Sequence, residues 1–184
     1  LERLVEIYQN RGSYECAAQE GNPLPEKPPE GMVASGLIRR ALAMGWRVGF
    51  TAGGDDHVGH SGTEFPIDSG SGYKAGLMAV SATEKTREAI WDAMWHRRVV
   101  ATSGPRIILN YWINDQTMGA EISSVTMPEL QRKRTVEVQA HGTARLSAIE
   151  IICNNEVVYE HACGEWDESF CWTDERPLNQ IWMP

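Results

Sequence analysis

The hydrophobic pattern changes period at Ser103-Gly104-Pro105, and that change divides what the chain can fold into. Downstream of it, Ile107, Leu109, Tyr111 and Ile113 alternate with other residues, as do Val136, Val138 and Ala140. Each set therefore shares one face of a strand. Ile149-Glu150-Ile151-Ile152 and Val157-Val158-Tyr159 flank Asn154-Asn155, a pair that tolerates the left-handed backbone of a tight hairpin turn. Phe170 and Trp172 predict one more strand. Residues 104–184 thus read as an antiparallel β domain, a small sandwich.

Upstream, the pattern mixes short apolar runs with helical spacing. Leu4-Val5-Glu6-Ile7-Tyr8 reads as a strand, and Gly21 to Gly31, with Pro23, Pro25, Pro28 and Pro29, as a loop. From Met32 to Met44, Val33, Leu37, Ile38, Ala41 and Leu42 recur at helical spacing before the stop at Gly45. The run Arg47 to Thr51 then predicts a strand that empties into a Gly-rich loop. Helix, turn, strand and polar loop is the order of an α/β unit, whose sites lie beyond the carboxyl ends of strands. After a second polar loop, Thr63 to Tyr73, the run Leu77 to Val80 predicts another strand. Thr83 is expected to open the best helix, with Glu84 in its first turn and His96, Arg97 and Arg98 in its last. Ala89, Ile90, Ala93, Met94 and Arg97 mark its inward stripe, and Trp91 and Trp95 are read as widening the core face. A mixed half followed by an all-β half implies two units, 1–103 and 104–184.

Composition narrows the function classes. With 184 residues and 42% hydrophobic content a core can form, while a formal net charge of −8 argues against a general nucleic-acid binder. The basic run Arg132-Lys133-Arg134 reads as a solvated loop. No stretch approaches the roughly 20 apolar residues of a membrane span, and none has the form of a secretory leader. The chain starts at Leu1 and enters a strand almost at once, so it is read as part of something longer, with the compartment left open between cytoplasm and export. Cys16, Cys153, Cys163 and Cys171 form no CxxC pair. They are read as buried free thiols, although the last three could pair in an exported protein.

Chemistry concentrates in Gly53-Gly54-Asp55-Asp56-His57-Val58-Gly59-His60-Ser61-Gly62. Asp and His together suit Zn²⁺, Mn²⁺ or Fe²⁺. In extended chain, residues i and i+2 share a face, so Asp55 and His57 are expected to aim at one point. The plain structural alternative is a loop cap by the aspartates with a local hydrogen bond to His57.

The phrase Gly49-Phe50-Thr51-Ala52-Gly53-Gly54-Asp55-Asp56-His57 resembles the late metal-binding motif of the PHP (polymerase and histidinol phosphatase) superfamily. Further stretches are similar to a large bacterial PHP-like family: Gly76 to Val80 with Thr86 to Met94, Arg97 to Ile107, Val5 to Glu15, and the closing Ile181-Trp182. The resemblance implies α/β plus all-β architecture, with the end of a TIM-like barrel and its linking helix over 1–103 and the β domain over 104–184. It implies a metal-dependent, phosphoesterase-like hydrolase acting on a small phosphorylated or ester substrate, with divalent ions (Zn, Mn or Fe). It makes Asp55 and His57 metal ligands and Asp56 and His60 their neighbours. Glu6 and Glu15 lie near the same barrel end as candidate direct or outer ligands, and Arg11 stands where the family often has a His. Arg11 or Arg47 could bind a substrate anion, Arg47 being equally well a surface residue.

The family's early His-x-His motif is absent, and none of the five histidines, His57, His60, His96, His141 and His161, completes one. The N-terminal part of the barrel is thus an expected partner missing from the chain. Two ligands rarely hold a metal tightly, so the chain alone is expected to be inactive. A non-catalytic β module, with Trp112, Trp166 and Trp172 as stacking surfaces, is the alternative. His96, His141 and His161 are read as structural or solvated.

Overall fold

The computed structural model describes residues 2–25, 37–57, 59–60 and 73–177. The latter part of the Pro-rich loop, the first half of the Met32–Met44 helix, nearly all of the loop from Thr63 and the closing Ile181-Trp182 lie outside the described residues. The chain divides into two compact units, Leu1–Arg106 and Ile107–Pro184.

In the first unit, β1 (Leu4–Gln9) turns at Asn10-Arg11 into the short antiparallel β2 (Gly12–Ser13), with Gln9 opposite Gly12. Gly12 sits at φ 126°, and a Cβ there would come within 2.6 Å of the Leu24 carbonyl, so both backbone and space require glycine. β1 also pairs in parallel with β3 (Gly49–Ala52), which gives the sheet order β2-β1-β3. Parallel strands need a crossover, and α1 (Ile38–Ala43) lies in it. Its first amides are satisfied by the chain near β2: Ile38 N–H donates to the Tyr14 carbonyl and Arg39 N–H to that of Glu15. The helix starts later than the Met32–Met44 spacing predicts: its N-cap is Leu37, in extended backbone (ψ 140°). Leu37 and Ile38 are buried, and Ala41 and Leu42 half-buried.

β4 (Leu77–Val80) and β5 (Val99–Thr102) form an antiparallel pair joined through α2 (Arg87–Trp95). The helix starts later than expected. Thr86, not Thr83, is the N-cap, its hydroxyl accepting from Ala89 N–H at 3.3 Å, and Glu88 occupies the first turn. It also ends earlier, with His96 as the cap and Arg97 in left-handed backbone at φ 59°. Ala93 is fully buried as predicted, but Trp91 and Trp95 are 63% and 43% exposed. They stack on each other at 6.3 Å, with the Arg3 guanidinium over Trp95, instead of entering the core.

The second unit is built on a four-stranded antiparallel sheet, order β11-β8-β6-β7, with β6 (Ile108–Ile113), β7 (Gln116–Thr117), β8 (Arg134–His141) and β11 (Asp167–Asp174). The register aligns Leu109, Tyr111 and Ile113 with Ala140, Val138 and Val136, and these with Glu168, Phe170 and Trp172. That is the apolar face the alternation predicted. β9 (Ala148–Cys153) and β10 (Glu156–Ala162) form a separate hairpin. Its turn residues Asn154 and Asn155 both have positive φ, 53° and 64°, as the two-residue turn demands. Tyr159 of β10 lies against Phe170 and Trp172 of β11, at 5.6 and 5.2 Å between ring centres.

Arg134 corrects the reading of the basic run as wholly solvated. It is buried and paired with buried Asp174 at 3.0 Å, and also donates to the carbonyls of Leu130 and Arg176. All four cysteines are free, but only Cys16 is buried as expected; Cys153 and Cys163 are half-buried at the ends of strands and Cys171 is exposed. The described residues are mostly β with few helices, in several small open sheets, and no barrel closes among them. No helix among them is long and apolar enough to cross a membrane.

Candidate functional site

The site grows from the parallel register of β1 and β3. Glu6 lies opposite Thr51, and the register then slips so that Tyr8 faces Ala52. Such an irregularity re-aims the residues that follow it. β3 ends at Ala52, the Gly53 N–H donates to the Tyr8 carbonyl, and the chain leaves the sheet. The Glu6 carboxylate lies over Gly53, where a Cβ would stand 2.7 Å from Glu6 Oε2. Gly53 therefore makes room for a carboxylate at the end of the strand.

Asp55 and His57 do converge, though not as extended chain. Both take left-handed backbone, φ 50° and 56°, and this folds the loop back on itself. Asp and His are among the non-Gly residues that tolerate this region. His57 Nε2 lies 2.8 Å from Asp55 Oδ1. The other oxygen, Oδ2, accepts from Gln9 Nε2 at 2.8 Å and from the Arg11 guanidinium at 3.0 Å. Gln9 Oε1 in turn accepts from Arg11 N–H, which locks the β1–β2 turn to the loop. Asn10, 1% exposed, donates through Nδ2 to the carbonyls of Gly54 and Asp55.

The cluster brings together Glu6, Gln9, Asn10, Arg11, Asp55 and His57. Burial raises the Glu6 carboxyl above its ordinary range, Asp55 adds to the rise, and Arg11 opposes it. Asp56 is half-buried within the loop, and His57 and His60 are exposed. Glu15 is not part of the cluster: it accepts from Arg39 at 2.7 Å, where β2 meets α1. Gln9 and Asn10 were missed by sequence reasoning. Their only signal was a polar pair closing an apolar strand, which a turn explains equally well.

Asp55 and His57 offer one oxygen and one nitrogen at the same point, a donor pair suited to a divalent ion. Among the described residues no third His, Cys or carboxylate joins them closely enough to complete a ligand group. In the second unit, Trp112 and Trp172 fall on opposite faces of the sheet: Trp112 aligns with Glu137 and Cys171, whereas Trp172 aligns with Val136 and Ile113. Trp166, exposed, lies in the β10–β11 loop. The three do not form one stacking surface.

This combination, an Asp-x-His loop after a parallel strand followed by an antiparallel β unit, falls within a defined family. The chain belongs to DUF3604, proteins of unknown function, whose profile matches residues 46–143 and so includes Asp55 and His57. It is similar to an uncharacterized protein of Chlamydia pneumoniae, 34% identical over 181 residues, covering 98% of this chain and 29% of that protein. An uncharacterized protein of Chlamydia trachomatis is 37% identical over 187 residues, with 98% and 29% covered. One of Chlamydia muridarum is 37% identical over 165 residues, with 86% and 26% covered. The chain thus spans under a third of the length of these relatives. No solved structure matches.

Proposed function

We propose that this chain carries the Asp-x-His corner of a metal-dependent, phosphoesterase-like hydrolase of the PHP kind. Asp55 and His57 are two of its ligands, and the others lie on further parts of a longer protein. On this reading residues 1–103 belong to a TIM-like barrel and 104–184 to an appended β-sandwich. The observation that supports the proposal is that Asp55 and His57 bring an oxygen and a nitrogen to one point at the end of a parallel strand. Their 2.8 Å contact is also the local hydrogen bond of the structural alternative, which an ion would have to replace. Two ligands on one ion at about 2.0–2.2 Å stand roughly 3.3 Å apart in tetrahedral geometry, so a small opening of this contact admits a metal.

A bound divalent ion supplies a water of lowered pKa and a clamp for the oxygens of the displaced group. Gln9 holds Asp55 from behind through Oδ2, leaving Oδ1 for the ion. Arg11 is 42% exposed in its pair with Asp55, and such a pair contributes only about 0–1 kcal/mol. Its guanidinium is therefore available to a substrate phosphate, which it matches with two parallel donors. Glu6 adds a second carboxylate at the strand end, over Gly53, whose negative charge favours a cation in the same loop.

The test uses the protein at the length of its chlamydial relatives. Purified with manganese or zinc, it is expected to retain metal and to hydrolyse a generic phosphomonoester. Asp55→Asn and His57→Ala should each lower turnover by at least about a hundredfold. Metal-independent turnover, or variants as active as the wild type, would overturn the proposal.

A further inference from the structure

The second unit holds another convergence of metal-ligating atoms, independent of the Asp55 loop. β10 runs through His161 and ends at Ala162, and the chain then turns from Cys163 into β11 at Asp167. His161 and Cys163 are half-buried while Ala162 between them is exposed, so the two share a face. Glu168 is half-buried beside them on β11. His161 Nε2 lies 3.6 Å from Glu168 Oε2, and the ligand atoms of His161, Cys163 and Glu168 all lie within 4.8 Å of one another. Among the described residues no other group of three such side chains converges this closely.

Local contacts hold each member; the Cys163 thiol donates to the His161 carbonyl at 3.5 Å, a hydrogen bond that metal binding would replace. Glu168 Oε1 accepts from the Gly164 and Glu165 amides at 3.0 and 3.1 Å, which leaves Oε2 toward His161. The His161 ring stacks on Phe170 at 4.3 Å. Cys163 N–H donates to the Ser147 carbonyl, which ties the turn to the neighbouring hairpin.

We propose that His161, Cys163 and Glu168 bind a zinc ion, with a fourth position open to water or another small ligand. Thiolate sulfur, imidazole nitrogen and carboxylate oxygen are the donors that zinc accepts together. Ligands at about 2.0–2.3 Å from one tetrahedral ion stand roughly 3.3–3.8 Å apart, so the 3.6 Å His161–Glu168 separation already fits. On binding, the Cys163 S–H bond breaks and an S–Zn bond forms. The proton leaves to solvent and no electron is transferred. Three protein ligands with an open fourth position distinguish this arrangement from a closed structural zinc.

The test is a cobalt titration of the full 184-residue chain. Thiolate ligation adds a sulfur-to-cobalt charge-transfer band that nitrogen and oxygen ligands do not produce. The band is expected to saturate at one cobalt per chain, to disappear when zinc is added, and to be absent in Cys163→Ser. It should persist in Cys16→Ser, Cys153→Ser, Cys171→Ser and Asp55→Asn, which separates this site from the Asp55 loop. Glu168→Gln should weaken cobalt binding by more than the roughly hundredfold that loss of an outer hydrogen bond can cost. Zinc should also raise the melting temperature of the wild type by mass action, and that of Glu168→Gln far less. Absence of the band in the folded wild type, its survival in Cys163→Ser, or equal zinc shifts in wild type and Glu168→Gln would each overturn the assignment.

Discussion

At the scale of single residues, the first site depends on space left beside a strand end. Gly53 permits Glu6 to lie where a Cβ would meet its carboxylate at 2.7 Å. Gly53→Ala is expected to push Glu6 aside and to cost about 1–3 kcal/mol, read as a lowered denaturant midpoint. A variant as stable as the wild type would mean that Glu6 has room elsewhere. A second residue-scale case is Asp174. Burial raises its pKa, but hydrogen bonds from Arg176 and Arg134 outweigh that and hold it at about 2, below the ordinary 3.8. A depressed carboxyl contributes stability above its unfolded pKa, and that contribution fades as pH falls through the folded one. Asp174→Asn should therefore cost roughly 2 kcal/mol near neutral pH, with the gap to wild type closing between about pH 4 and pH 2. Urea titrations across that range check the sign, since a gap that widens toward acid would contradict it.

At the scale of elements, the legible parts were those written in local pattern. The alternation of Leu109, Tyr111 and Ile113 with Val136, Val138 and Ala140 placed one sheet face, because period two leaves little freedom once a face is apolar. Asn154-Asn155 marked a turn whose positive φ few other residues accept. Asn154→Ala is expected to destabilise the β9–β10 hairpin by about 1–2 kcal/mol, with faster amide exchange in those strands. Unchanged exchange would show that the turn does not govern the hairpin. The illegible parts depended on distant partners. Two threonines three apart, Thr83 and Thr86, carry the same capping signal, and only the Ala89 amide distinguishes them. Arg134 reads as surface charge until Asp174, forty positions away, is beside it. Trp91 and Trp95 follow the helical stripe but stack outside it, so apolarity alone did not determine their burial.

At the scale of the whole molecule, the chain combines a small mixed unit and a β unit, and each brings together side chains of metal-ligating type. The convergence of Asp55 and His57 was legible because the two are near in sequence. The convergence itself came about otherwise than expected, through two left-handed residues and through Gln9 and Asn10 anchoring the loop from the first strand. The His161, Cys163 and Glu168 group was not legible, because Glu168 reaches the other two only when the β10–β11 turn folds back. If Asp55 and His57 belong to a metal site, they share one ion. Anomalous diffraction from crystals of the protein at its relatives' length, grown with zinc or manganese, tests it most directly. An anomalous peak is expected about 2.0–2.2 Å from both Asp55 Oδ1 and His57 Nε2. Density that leaves those two atoms in direct contact at 2.8 Å, with no peak between them in metal-saturated crystals, would contradict it.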